Sequence, residues 1–107
     1  MQRVTLVRYA AKPDLAAENE SLARAVFTEL RATAPEGVAY ALFRNGAEFV
    51  HLFVNLVDDS SDAVTELPSF KAYAKDTAER FVAPPEVTRL GLRLLESYGL
   101  GEVLARA

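Results

Sequence analysis

The dipeptide Asn45-Gly46, set between two runs of alternating side chains, constrains this chain more than any other feature. A two-residue reversal needs positive φ, which Asn and Gly tolerate, so the pair predicts a tight β-hairpin. The flanking runs, 38–44 and 47–57, are then antiparallel partners. With Asn45 and Gly46 as the loop, Arg44 faces Ala47, Leu42 faces Phe49, Tyr40 faces His51 and Val38 faces Phe53. One side of the hairpin therefore carries Val38, Tyr40, Leu42, Phe49, His51, Phe53 and Asn55. The other side carries Ala39, Ala41, Val50, Leu52, Val54 and Leu56, a smaller and purely aliphatic set.

The rest of the chain supplies two crossovers around that hairpin. Residues 3–10 are rich in Val, Leu and Tyr and read as a strand, ended by Lys12-Pro13-Asp14. Pro13 cannot donate to a ladder, and Asp14 is a good helix N-cap. A helix over 15–34 follows, with Leu22, Val26 and Leu30 at four-residue spacing, widened by Ala23, Phe27 and Ala34. Pro35-Glu36-Gly37 stops it. After the acidic loop 58–62, with a helical turn at 63–67, a second helix starts near Pro68, a residue suited to the first helical position. Its stripe is Phe70, Tyr73, Ala74, Thr77 and Phe81. Lys75 with Glu79 and Asp76 with Arg80 read as surface i,i+4 pairs. Ala83-Pro84-Pro85 ends that helix, and 87–98 is a fourth strand with a short tail after it. The order is β-α-β-β-α-β, a ferredoxin-like α+β unit with a four-stranded antiparallel sheet and both helices on one face. Strands one and three are central in that arrangement.

Composition narrows the function classes. The 107 residues fit one domain, 1–107, and half of them are hydrophobic, enough for a core. The formal net charge is −3 and the chain has no cluster of Lys or Arg, which disfavours nucleic acid as a partner. Absence of Cys removes thiolate metal sites and disulfides and fits a reducing, cytoplasmic setting. No signal-peptide pattern opens the sequence, and no apolar run is long enough to span a membrane. A lone His without Cys makes a transition-metal site unsupported. Asp58, Asp59 and Asp62 lack the spacing of a calcium loop, and neither a phosphate-binding glycine loop nor a hydrolase triad is present.

The aliphatic side of the hairpin suits packing under helices, so the aromatic side is expected on the face without them. A patch that apolar is expected to meet a second copy, sheet to sheet, in a two-fold homodimer.

At this point the chain resembles the dimeric α/β-barrel superfamily, of the kind that includes antibiotic-biosynthesis-type monooxygenases. The resemblance covers residues 3–98 and rests on element order and on three local motifs: Arg8-Tyr9-Ala10-Ala11-Lys12-Pro13, Phe49-Val50-His51-Leu52 and Leu67-Pro68-Ser69-Phe70. It implies a dimeric α/β barrel whose bare sheet faces line a cavity. In such a cavity His51, the only histidine, is a candidate general base or proton donor. Tyr40 and Asn55 are candidates to orient a carbonyl or phenol. Phe49 and Phe53 would be apolar walls. Arg8 is placed on the cavity face because a guanidinium under helices is costly. Arg93 is placed there too, with Leu90, Leu92 and Leu94 on the helix side, and either Arg could hold an anionic group. The residues leave the bland readings open: a buried His held by Tyr40, or arginines that bridge the dimer.

Three functions follow. One is a cofactor-free monooxygenase acting on an aromatic or polyketide-like substrate, with neither cofactor nor metal. Another is a non-catalytic ligand-binding or stress-associated dimer, and the third is a plain dimerisation module. Several resembling oxygenases use a cavity Trp, which this sequence lacks.

Overall fold

A computed structural model describes residues 2–56 and 63–99 of the chain. Strand β1 (Arg3–Ala10) leads through a 3-10 turn (Pro13–Leu15) into α1 (Ala16–Thr33). Strands β2 (Val38–Asn45) and β3 (Glu48–Asn55) form the hairpin. Helices α2 (Pro68–Ala74) and α3 (Thr77–Arg80) precede β4 (Glu86–Leu90). All pairings are antiparallel, and the sheet order is β2-β3-β1-β4, with β1 and β3 central as expected. The architecture is a ferredoxin-like α+β fold with its helices on one face. Among the described residues, no helix is long and apolar enough to cross a membrane.

The hairpin turns one position later than expected. Asn45 pairs with Glu48, so Gly46 and Ala47 form the loop, and Gly46 carries the positive φ of 63°. That is glycine at the first central position, where a left-handed residue is required. Partners therefore slide by two: Leu42 faces His51, and Tyr40 faces Phe53. A shift of two leaves every side chain on its expected face, because side chains alternate with period two.

What changes is which face the helices cover. Tyr40 stacks on Phe27 of α1 at 4.5 Å, and His51 lies 5.5 Å from the ring of Tyr73 on α2. The aromatic face is thus the one beneath the helices, and the aliphatic face is bare. The reason lies in α1, whose buried residues are Ala16, Asn19, Ala23 and Val26. A helix offering such short side chains needs large rings from the sheet to fill the space between layers. The bare face holds Val4, Leu6 and Arg8 of β1 and Val50, Leu52 and Val54 of β3, joined by Leu90 of β4 and Phe43 of β2.

The helices also depart from expectation. Leu15, not Asp14, is the N-cap of α1, and no side chain caps it. The second helix breaks in two at Lys75 and Asp76, where Asp76 adopts a φ of 61°. Arg80 explains the break: it is buried, and it donates to the carbonyls of Lys75 at 2.8 Å and of Tyr73, both freed by the interruption. Arg80 is therefore not a surface partner of Asp76. Glu29 of α1 accepts from the backbone and hydroxyl of Ser69, at 2.9 and 2.6 Å, and so ties the start of α2 to α1. Strand β4 is shorter than the expected 87–98. Its ladder ends where Leu90 meets Val4, and farther on the Gln2 side chain accepts from the Leu94 backbone at 2.6 Å. The turn at 63–66 is present. The expected loop 58–62, residue 57 of the third strand and nearly all of the tail lie outside the described residues.

Candidate functional site

Three of the four tyrosines converge on the single histidine. His51 sits mid-strand on β3 and is 2 % exposed. Its Nδ1 meets the Tyr40 hydroxyl at 2.5 Å. Its Nε2 meets the Tyr9 hydroxyl at 2.8 Å and, more loosely, that of Tyr73 at 3.3 Å. Tyr9 and Tyr73 are themselves 2.6 Å apart through their hydroxyls. Asn19 donates from Nδ2 to the Tyr9 hydroxyl at 2.8 Å, and Arg80 Nε donates to Asn19 Oδ1 at 3.1 Å. A guanidinium has only donors, so Arg80 fixes the orientation of the Asn19 amide and makes Asn19 a donor towards Tyr9. The guanidinium also lies over the Tyr73 and Phe81 rings, at 5.4 and 5.8 Å.

Each member is delivered by a different element. Tyr9 comes from the end of β1, Asn19 from the first turns of α1, Tyr40 from β2, and Tyr73 and Arg80 from the broken second helix. Tyr9 lies between Phe49 and Phe81, with ring centroids at 5.5 and 3.8 Å. Phe53 stacks on Tyr40 at 4.2 Å. The surroundings are therefore apolar, and burial dominates the electrostatics. Desolvation lowers the His51 pKa from 6.5 to about 4, so the imidazole is neutral at neutral pH. Burial likewise raises the pKa values of Tyr9, Tyr40 and Tyr73 and keeps all three phenols protonated.

A cleft of about 600 Å³ opens between the C-terminal half of α1 and the start of β2. Phe27, Leu30, Pro35 and Tyr40 line it, with Arg31 and Glu36 also on its wall. Tyr40 is the one member of the phenol–imidazole group that is not buried, and it connects the cleft to His51.

His51, Tyr40, Phe49 and Phe53 share one face as the sequence suggested, but that face is the covered one, so they do not line an inter-sheet cavity. Asn55 is buried on the same face, beside Val38 of β2 and Arg3 of β1. Arg8 does lie on the bare face, 3.6 Å from Glu48, and is thereby separated from His51 by the sheet itself. Arg93 is exposed beyond the end of β4, and Leu90 points to the bare face rather than to the helices, so neither follows the expected alternation. Among the described residues, no group of three or more His, Asp or Glu is arranged to hold a metal.

Tyr9, Asn19, Tyr73 and Arg80 were not candidates from sequence. For Tyr9 the signal was present: an outward Arg8 forces its neighbour inward on an alternating strand. Tyr73 lay on the expected helix stripe. Arg80 read as a surface position and Asn19 was not singled out, and only the packing of the helices reveals them.

No protein-family model matches the chain, and no curated protein does. Solved structures do. Rv0793 from Mycobacterium tuberculosis is 24% identical and superposes with a TM-score of 0.75 over 92% of this chain and 100% of its own. A protein from Caulobacter crescentus, provisionally named an antibiotic biosynthesis monooxygenase, is 19% identical, with a TM-score of 0.72 over 89% of this chain and 91% of its own. Another structure named antibiotic biosynthesis monooxygenase is 18% identical, with a TM-score of 0.71 over 86% of this chain and 98% of its own. At these identities the likeness establishes the fold. The chain has the ferredoxin-like fold of the antibiotic-biosynthesis-monooxygenase-like proteins.

Proposed function

We propose that this protein is a cytoplasmic, single-domain homodimer that binds a small aromatic or polyketide-like molecule and acts on it as a cofactor-free monooxygenase. The observation that carries the reading is the buried Tyr9–Tyr73–His51–Tyr40 chain, which ends beside an apolar cleft. Such a chain is expensive to bury unless fully satisfied, and its one partly exposed member, Tyr40, lines a cavity within the usual size range for ligands. In the proposed reaction a ring methylene made acidic by a neighbouring carbonyl loses a proton to solvent water in the open cleft. The resulting enolate reacts with dioxygen. A proton returns to the peroxide oxygen that leaves as water, and the methylene becomes a carbonyl. Tyr40 is the group offered to the enolate oxygen. His51 does not itself reach the cleft and acts through Tyr40. Phe27 is the apolar surface for the ring. Proteins of this fold that carry the monooxygenase name support the reading at the level of fold.

The homodimer is proposed on the bare face. Leu6, Phe43 and Leu90 there are 39%, 56% and 46% exposed, and β-sheet faces this apolar are covered in stable proteins. The test of activity is oxygen uptake by the purified protein with an anthrone-type substrate, comparing the wild type with Tyr40→Phe. Uptake that falls at least tenfold in Tyr40→Phe supports the reading. Binding without uptake removes the oxygenase activity and leaves a non-catalytic ligand-binding dimer, the reading favoured by the filling of the space around His51 by Phe53 and three tyrosine rings.

A further inference from the structure

The hydrogen bonds around His51 can be counted, and the count fixes where its proton lies. A neutral imidazole has one N–H donor and one lone-pair acceptor. On the Nε2 side three groups contact one another: Nε2, the Tyr9 hydroxyl and the Tyr73 hydroxyl. If Nε2 carried the proton, three protons would compete for two acceptor oxygens in this triangle. One phenol proton would then have no acceptor among the described residues. Both phenols are buried, Tyr9 at 6 % and Tyr73 at 7 % exposure, so that orphan would be costly. If Nε2 carries the lone pair instead, both phenol protons find acceptors, one on Nε2 and one on the neighbouring phenol oxygen. Asn19 already donates to Tyr9 and offers no acceptor there, because Arg80 occupies its oxygen.

The proton therefore belongs on Nδ1, which faces Tyr40. Tyr40 then accepts from His51, and its own proton is left for another partner. Tyr40 is partly exposed and lines the α1–β2 cleft, whereas the other phenols are enclosed. We propose that His51 is held as its Nδ1–H tautomer, and that this turns Tyr40 into a hydrogen-bond donor for an acceptor oxygen of an aromatic ligand in the cleft. Accepting from the imidazole strengthens the donation that the phenol makes in turn. Arg31 and Glu36 on the same wall bear opposite charges, so selection of ligand oxygen falls to Tyr40 and not to net charge. The ligand class is a fused aromatic bearing a carbonyl or phenolate oxygen. The inference rests on the proposed ligand site, but the tautomer stands apart from it.

Two measurements test the two parts. Long-range proton–nitrogen correlation spectra of the wild-type protein report the tautomer directly, and the single histidine makes the assignment unambiguous. A protonated Nδ1 is expected, and a protonated Nε2 overturns the inference whatever the protein binds. Binding of 1,4-naphthoquinone is then compared with that of naphthalene, in the wild type and in Tyr40→Phe. The quinone should bind the wild type at least about fivefold more tightly than the hydrocarbon, the worth of one good hydrogen bond, and Tyr40→Phe should erase that preference. Equal binding of both probes to the wild type, or a preference that survives in Tyr40→Phe, overturns the donor role while leaving a ligand site in place. Failure of both probes to bind removes the cleft as a ligand site and the donor role with it, leaving the tautomer to the spectra.

Discussion

The two faces of this sheet are built from the same four strands of alternating residues, yet they have become different materials. The covered face carries Tyr9, Tyr40, Phe49, His51 and Phe53, rings long enough to reach the helices. The bare face carries Val4, Leu6, Val50, Leu52 and Val54, short side chains with no rings among them except Phe43. Bulk goes where a gap of roughly 10 Å between layers must be filled. Short aliphatic residues stand on the face that no helix covers. Polar atoms follow the same division. On the covered face the hydroxyls of Tyr9 and Tyr40 and both ring nitrogens of His51 are tied into one network, whereas on the bare face Arg8 and Glu48 form a half-exposed pair of little energetic weight.

If that contrast is right, truncation should hurt most on the covered face. Phe49 is fully buried between Tyr9 and the Arg44 guanidinium. Phe49→Ala should cost about 3–5 kcal/mol, the usual range for an enclosed aromatic. Urea unfolding would read it. A loss below about 1 kcal/mol would mean that the covered face is loosely packed and that the contrast is overstated.

Acid should act through the same face. In the unfolded chain the His51 imidazole takes up a proton near 6.5, but in the folded protein only near 4. The unfolded state thus binds more protons across that window. Its contribution is fully present above pH 6.5 and is lost as pH falls towards 4, by roughly 3 kcal/mol in all. Denaturation midpoints measured from pH 7 to pH 4 should show this slope in the wild type and not in His51→Gln. The carboxylates of Glu20 and Glu29 have pKa values lowered by hydrogen bonds from Arg44 and Ser69, so their losses fall below about 4.5 and leave the upper part of the window to His51. A smaller step is expected from Tyr73→Phe, about 1 kcal/mol, since it removes a buried hydrogen bond while the Tyr9 hydroxyl keeps His51 and Asn19 as partners.

Much of the architecture was legible in the residues. Element order, the tight reversal near Asn45-Gly46, the central position of β1 and β3, and the grouping of Tyr40, His51 and Phe53 on one side all follow from alternation and punctuation. The assignment of that side was not legible from the hairpin alone. A face rich in aromatics suits either a helical layer or a second sheet, and the choice depends on what the helix offers in return. The small residues of α1, Ala16, Asn19 and Ala23, held that information, but it acquires meaning only once the helix phase is fixed by packing. The site was harder still. Arg80 and Asn19 lie 61 residues apart in sequence and meet only because the second helix breaks at Asp76. Helical spacing assigned Arg80 to a surface pair, since an i,i+4 pattern presumes an unbroken helix.

The smallest effect on the folded protomer, and the sharpest test of the contrast, lies on the bare face. Leu6 sits at the middle of that face on the central strand β1, between Leu52 and Thr88, and is 39% exposed. Leu6→Lys introduces no cavity and buries no charge in a lone protomer, so it should change protomer stability by less than about 0.5 kcal/mol. In a sheet-to-sheet homodimer the same lysine would be forced into an apolar interface without a counter-ion, at a cost of several kcal/mol. Sedimentation equilibrium should therefore find wild-type dimer and Leu6→Lys monomer, with matching circular dichroism for the two. If the wild type sediments as a monomer, the bare face is not a self-association surface. If Leu6→Lys still dimerises with unchanged affinity, the two copies meet elsewhere, and the short aliphatic residues of this face need another explanation.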